Sequence, residues 1–127
     1  MFNNKTILIT GGTGTFGKKF VQVLLKRFKP KKIIIFSRDE LKQFDMAQEY
    51  SDKCLRFFIG DVRDENRLKQ AIGDGVDIIV HAAALKQVNT AEYNPTEYIK
   101  TNIIGTQNII QAAISCKVKK VMSLSTD

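Results

Sequence analysis

An α/β fold, a doubly wound parallel sheet with helices on both faces, is what this sequence predicts, on three observations. Short apolar runs alternate with stretches of helical character along the whole chain, the pattern of repeated strand–helix–strand units. The runs are close to continuously apolar, as strands covered on both faces must be, and they lack the in–out alternation of a half-solvated sheet. A glycine-rich turn joins the first strand to the first helix. Right-handed crossovers between successive parallel strands then place helices on both sides.

The elements follow in order. "TILIT" (6–10) is the first strand, "IIIF" (33–36) the second, "LRFFIG" (55–60) the third, "DIIV" (77–80) the fourth and "VMSLS" (121–125) the fifth. The helices between them carry their own punctuation. In "NPTE", Asn94 is placed to cap a helix, Pro95 to occupy its first position, and Glu97 to complete a capping box. That helix is expected to reach about Cys116, with Ile99, Ile103, Ile110 and Ile114 near helical spacing on an apolar face. No Ser/Pro-rich linker or low-complexity tract interrupts the series, so residues 1–127 read as one domain.

Composition narrows the function. Hydrophobic residues make up 43% and charged residues 26%, ordinary for a globular protein. No apolar run approaches the roughly 20 residues of a membrane-spanning helix. The N-terminus, "MFNNKTILIT", lacks the parts of a signal peptide, so a cytoplasmic location is expected. Net charge is +7, but the lysines are scattered in "KKF", "KPKK" and "KVKK", without arginine runs or interleaved aromatics. That argues against nucleic acid and for small anionic ligands. Cys54 and Cys116 are too few and too far apart for a zinc site or disulfide framework, and fit buried or half-buried thiols in a reducing compartment. With His81 the only histidine, no metal site is expected.

The stretch "ILITGGTGTFGKKF" is the most informative. Gly11, Gly14 and Gly17 recur at intervals of three, and Gly12, Gly14 and Gly17 satisfy G-x-G-x-x-G. After a strand and before a helix, this is the dinucleotide-binding turn of a Rossmann-type fold, against the alternative of a merely structural turn. Glycines permit the tight turn and let the backbone approach a pyrophosphate. The helix N-terminus offers it free N–H groups and a positive dipole end. Thr13, Thr15 and Phe16 are counted with the glycines as cofactor-contacting residues. The second strand ends in Ser37 and Arg38, where NAD-binding versions place an acid for the ribose 2′-OH. A hydroxyl and a guanidinium suit a 2′-phosphate better, so NADP is the expected cofactor; the alternative for Arg38 is a solvated surface charge. Asp39 and Glu40 are expected to start the next helix. After the third strand, Asp61 fits equally a turn aspartate and a group reading the adenine amino group, with Val62 beside the ring.

Taken together, "TGGTGTFG", "FSRDELKQF", "GDVRD", "HAAALKQV", "AEYNPTEYIKTNIIGTQNII" and "LSTD" resemble the extended short-chain dehydrogenase/reductases. More narrowly they are similar to the UDP-N-acetylglucosamine 4,6-dehydratases, and within these to the C5-inverting enzymes of pseudaminic acid synthesis. The likeness spans the whole chain. "SRDELKQF" and "AAALKQV…AEYNP" are more specific than the glycine motif, and Asn89 departs from a proline expected in many relatives. The resemblance implies oxidation at C4 of the sugar by NADP, loss of the C5 proton, departure of water from C6 and return of the hydride to C6. It implies that Thr126 hydrogen-bonds the sugar and that Asp127 protonates the departing hydroxyl. Ala82, Ala83 and Ala84 would let the nicotinamide lie close to the backbone, or simply pack. Lys86 would touch a phosphate or the substrate, or stay solvated. Asn102 would support the active site or be a satisfied buried polar residue, and His81 reads as a packed strand-end residue. UDP-N-acetylglucosamine is the implied substrate and a homo-oligomer the implied assembly.

The superfamily's Tyr-x-x-x-Lys pair does not occur: Glu97 stands four residues after Tyr93, and Asn102 four after Tyr98. The lysine base expected just after "STD", and a region to bind the UDP-sugar, are absent too. The chain therefore reads as the N-terminal, cofactor-binding part of a larger, truncated domain, inactive as a dehydratase alone. Its fifth strand is expected to be an exposed edge. The alternatives are a non-catalytic NADP-binding or redox-sensing module, and a piece of a related epimerase or reductase.

Overall fold

The computed structural model describes residues 1–82 and 95–123. Within them the chain runs β1 (Thr6–Thr10), α1 (Thr15–Arg27), β2 (Lys32–Ser37), α2 (Glu40–Glu49), β3 (Leu55–Ile59), α3 (Glu65–Ile72), β4 (Ile78–His81), α4 (Pro95–Ser115) and β5 (Lys120–Ser123). All five strands pair in parallel, in the order β3-β2-β1-β4-β5. The order reverses direction between β1 and β4. That is the switch point at which an open α/β sheet leaves a crevice beyond its strand ends.

Successive side chains on a strand point to opposite faces, so a continuous apolar strand feeds two cores. Ile7 and Ile9 of β1, Ile33 and Ile35 of β2, and Ile78 and Val80 of β4 join Val21, Leu24 and Met46 on one side. Leu8, Ile34, Phe36 and Ile79, their alternates, join Leu68, Ala71, Ile72, Ile109, Ala112 and Ala113 on the other. Helices α1 and α2 thus cover one face, α3 and α4 the other. The residues 7–9 of β1 are fully buried, as befits the central strand of a doubly covered sheet.

Helix α4 matches the expected span but not the expected face. Its buried stripe is Gly105, Ile109, Ala112 and Ala113. Ile103, Ile110 and Ile114 lie on the outer side, 51%, 46% and 67% exposed. The physical reason is closeness: small residues let the helix axis approach the sheet and α3, where isoleucines would hold it away. The side chains of Ile99 and Glu97, and Asn94 itself, lie outside the described residues.

Strand β5 pairs only with β4 and is the sheet's edge among the described residues, with Val121 exposed and Met122 half-buried. Both cysteines are free thiols of intermediate burial, as expected. Among the described residues no helix is long and apolar enough to cross a membrane, and no group of three or more His, Cys, Asp or Glu could hold a metal ion.

Candidate functional site

The glycine turn sits at the C-terminal end of β1, beside the switch point. Gly11 has φ of 70°, the left-handed region that favours glycine, and its amide donates to Phe36 O at 2.9 Å, tying the turn to β2. Gly17 is required for packing. A Cβ there would lie 2.5 Å from both Gly11 O and Gly12 Cα, so the first turn of α1 rests directly on the loop backbone. Gly14 is different. A Cβ at that position would meet nothing nearer than Gly11 O at 3.4 Å, ordinary contact. Its bareness leaves the approach to the helix end open.

That end is uncapped. Gly14 is the N-cap of α1 and makes no side-chain cap hydrogen bond, and the first turn contains no acid. The first intrahelical bond runs from Lys18 N to Gly14 O at 2.9 Å, so the amides of residues 15–17 precede the ladder. Thr15 and Phe16 are exposed there, whereas Thr13 is buried against the fold. Free amides, a positive dipole end and a bare cradle are together what a diphosphate needs.

The tips of β2 and β3 continue the same edge, since Ser37 pairs with Ile59 in the sheet. Arg38 projects into solvent with 60% of its side chain exposed, and its Nη1 stands 3.8 Å from Asp61 Oδ2. Asp61 is held more firmly by Arg63, whose Nη2 donates to Oδ2 at 2.7 Å and whose backbone amide donates to Oδ1 at 2.9 Å. Partial burial pushes the Asp61 carboxyl upward. The Arg63 hydrogen bonds and the Arg63 and Arg38 charges outweigh it, holding the group below the ordinary aspartate range as an ionised acceptor. The structure therefore brings Arg38, Asp61 and Val62 together. It turns Ser37 inward: its hydroxyl is buried and accepts from Gln43 Nε2 at 2.9 Å.

Gln43 escaped the sequence reading. It is buried, and besides Ser37 it donates to Phe58 O at 3.0 Å, so one side chain ties α2 to β2 and β3 just beneath the Arg38–Asp61 pair. A search for apolar periodicity passes over a polar residue on a buried face. Gly60 was also unremarked; a Cβ there would lie 2.5 Å from Phe36 Cζ, under the stacked Phe36 and Phe58 rings.

At the end of β4, His81 is buried as expected, with Nδ1 2.7 Å from Thr10 Oγ1 across the switch point. Its Nε2 is buried without a hydrogen-bond partner. Burial disfavours the imidazolium and lowers the pKa, so the ring is neutral. Ala82 follows, buried, its amide donating to Thr10 O at 3.1 Å. Ala83, Ala84, Lys86, Asn89, Thr126 and Asp127 lie outside the described residues, as does the side chain of Asn102.

The family model described as polysaccharide biosynthesis protein matches residues 7–127. The chain belongs to that polysaccharide biosynthesis family. Over all 127 residues it is 61% identical to the UDP-N-acetylglucosamine 4,6-dehydratase (inverting) of Campylobacter jejuni, covering 38% of that protein. Among solved structures, Pen from Bacillus thuringiensis superposes with a TM-score of 0.87 at 47% identity, over 97% of this chain and 37% of that one. The dTDP-glucose 4,6-dehydratase from Streptomyces venezuelae, solved with NAD and TYD bound, superposes with a TM-score of 0.80 at 32% identity, over 91% of this chain and 38% of that one. The chain thus spans well under half the length of these family members.

Proposed function

We propose that this chain is the cofactor-binding part of a UDP-N-acetylglucosamine 4,6-dehydratase that uses NADP. The observation that carries the reading is the uncapped, glycine-cradled N-terminus of α1 at the sheet's switch point. The 61% identity to a dehydratase of that name supports the substrate. The dinucleotide, when bound, supplies a reversible hydride acceptor. The chain's own residues hold it. The first-turn amides of α1 take the pyrophosphate, Arg38 takes the 2′-phosphate as a solvent-facing guanidinium, and Val62 and Asp61 flank the adenine. Ala82, Ala83, Ala84 and Lys86 would serve the nicotinamide end, a role that rests on the resemblance. Thr126 orients the sugar, and Asp127 protonates the hydroxyl that leaves from C6. The net reaction is a dehydration, a lyase activity, and it rests on parts of the protein beyond the residues described. Inversion at C5, a role in pseudaminic acid synthesis, a cytoplasmic location and a homo-oligomeric state belong to the same reading, and rest on the resemblance.

The test is to purify the complete gene product, identify the nucleotide it carries after denaturation, and incubate it with UDP-N-acetylglucosamine. A 4-keto-6-deoxy product lighter by one water, made by protein loaded with NADP, is the expected result. An epimer of unchanged mass would replace the dehydratase by an epimerase. NADP binding without turnover would leave a non-catalytic binding module, and release of NAD alone would overturn the role given to Arg38.

A further inference from the structure

Val62 is gripped from outside its own loop. Its carbonyl accepts from Asn108 Nδ2 at 3.0 Å, a contact spanning 46 residues of sequence. One turn earlier on the same helix, Gly105 lies buried against it. A Cβ at Gly105 would stand 2.8 Å from Val62 Cγ2, so the α4 backbone comes as near that side chain as any residue permits. Residues 105, 108, 109 and 112 share one helix face, and Val62 packs on the core that Ile109 and Ala112 help form. An apolar residue at 108 would serve packing as well. A half-buried amide whose donor meets one loop carbonyl instead fixes position.

We infer that Asn108 and Gly105 are positioning residues for the adenine end of the dinucleotide site, setting where Val62 stands. The inference rests on the dinucleotide reading above and deepens it. The pyrophosphate turn is built separately: Gly11 bonds to Phe36, and Gly12 abuts Ile35. The two halves of the site therefore answer to different elements, β2 for the phosphates and α4 for the adenine.

The test uses the complete gene product and three ligands: NADP, 2′-phospho-ADP-ribose for the adenine end, and nicotinamide mononucleotide for the other. Asn108→Asp and Asn108→Leu keep the approximate size and remove the donor. Gly105→Ala keeps the hydrogen bond and pushes on Val62. Ile109→Val thins the same helix face and is the stability control. The donor variants are expected to weaken NADP and 2′-phospho-ADP-ribose on the order of five- to tenfold, the worth of one hydrogen bond, with nicotinamide mononucleotide unchanged. Gly105→Ala should shift the same two ligands, and Ile109→Val should lower the melting temperature without moving any affinity. Variants that melt earlier yet bind both adenine ligands like the parent would overturn the positioning role. A parent protein that binds no dinucleotide would instead overturn the reading beneath it, a pattern the ligand set separates.

Discussion

Helices α1, α2 and α3 begin along the same edge of this sheet, and two of them carry a capping side chain while one does not. Asp39 caps α2, accepting from Lys42 N at 3.0 Å, and Asp64 caps α3, accepting from Arg67 N at 3.1 Å. Each is followed by a glutamate in the first turn, Glu40 and Glu65, which complements the helix dipole. Helix α1 has neither cap nor acid. An aspartate side chain takes up one first-turn donor at each of α2 and α3, and among the described residues none is seen to do so from the N-cap of α1. Glycine in place of a capping side chain forgoes only about a few tenths of a kcal/mol of stability. A ligand bearing negative charge would take that side chain's place. The difference sets α1 apart as the helix end to which the proposed dinucleotide is assigned.

Crowding the cradle should do most damage. Gly17→Ala sets a methyl 2.5 Å from loop backbone. It is expected to cost about 1–3 kcal/mol of stability by overpacking and to abolish dinucleotide binding. Chemical denaturation and ligand titration check both parts, and a variant that binds normally would mean the turn is not the site. Next in size, Gly14→Asp makes α1 resemble its neighbours. The backbone there is extended and the Cβ has room. The folded protein should keep its stability or gain about a few tenths of a kcal/mol from the new cap, while dinucleotide affinity falls at least roughly tenfold through charge repulsion. Unchanged affinity would break the comparison. The converse, Asp64→Ala, should lose about 1 kcal/mol of stability and leave affinity alone. Equal loss of binding would show that α1 is not special. Arg38→Ala, at an exposed and loosely paired side chain, should change stability by less than about 0.5 kcal/mol. It should selectively weaken NADP relative to NAD, and an unaltered NADP:NAD ratio in competition binding would remove Arg38 from the site.

The most graded effect comes from pH, at the buried end of β4. Burial lowers the pKa of His81 in the folded protein, so the unfolded chain takes up the proton first. The stability associated with a neutral His81 is present in full above about pH 6.5 and declines as pH falls below it. Denaturation midpoints at a series of pH values should fall on acidification, and His81→Asn should flatten the slope. His81 is the only histidine in the chain, so a slope that survives the substitution would assign it elsewhere.

Much of the site was legible because its parts are local. A glycine turn needs only its own residues and the strand and helix beside it, so the sequence "TGGTGTFG" announced the turn from β1 into α1. Arg38 was legible for the same reason, as the tip of an apolar strand. Ser37 and Gln43 were not. Which way Ser37 faces depends on α2 folding back to present a buried amide, and a lone glutamine in a polar-looking stretch carries no signature of that. The isoleucines of α4 misled for a related cause. Periodicity identifies an apolar stripe, but closeness of packing decides which stripe is buried, and here glycine and alanine won it.

By itself the sequence determined the order of strands and helices, the parallel sheet and the glycine turn between β1 and α1, since each follows from neighbours along the chain. Only the tertiary structure decided that Asp61 pairs with Arg63 as well as Arg38, that Gln43 secures the strand tips and that Asn108 reaches Val62. Those contacts join residues on separate elements. They form only where sheet register and helix approach bring a donor within about 3 Å of its acceptor, a distance no linear pattern encodes.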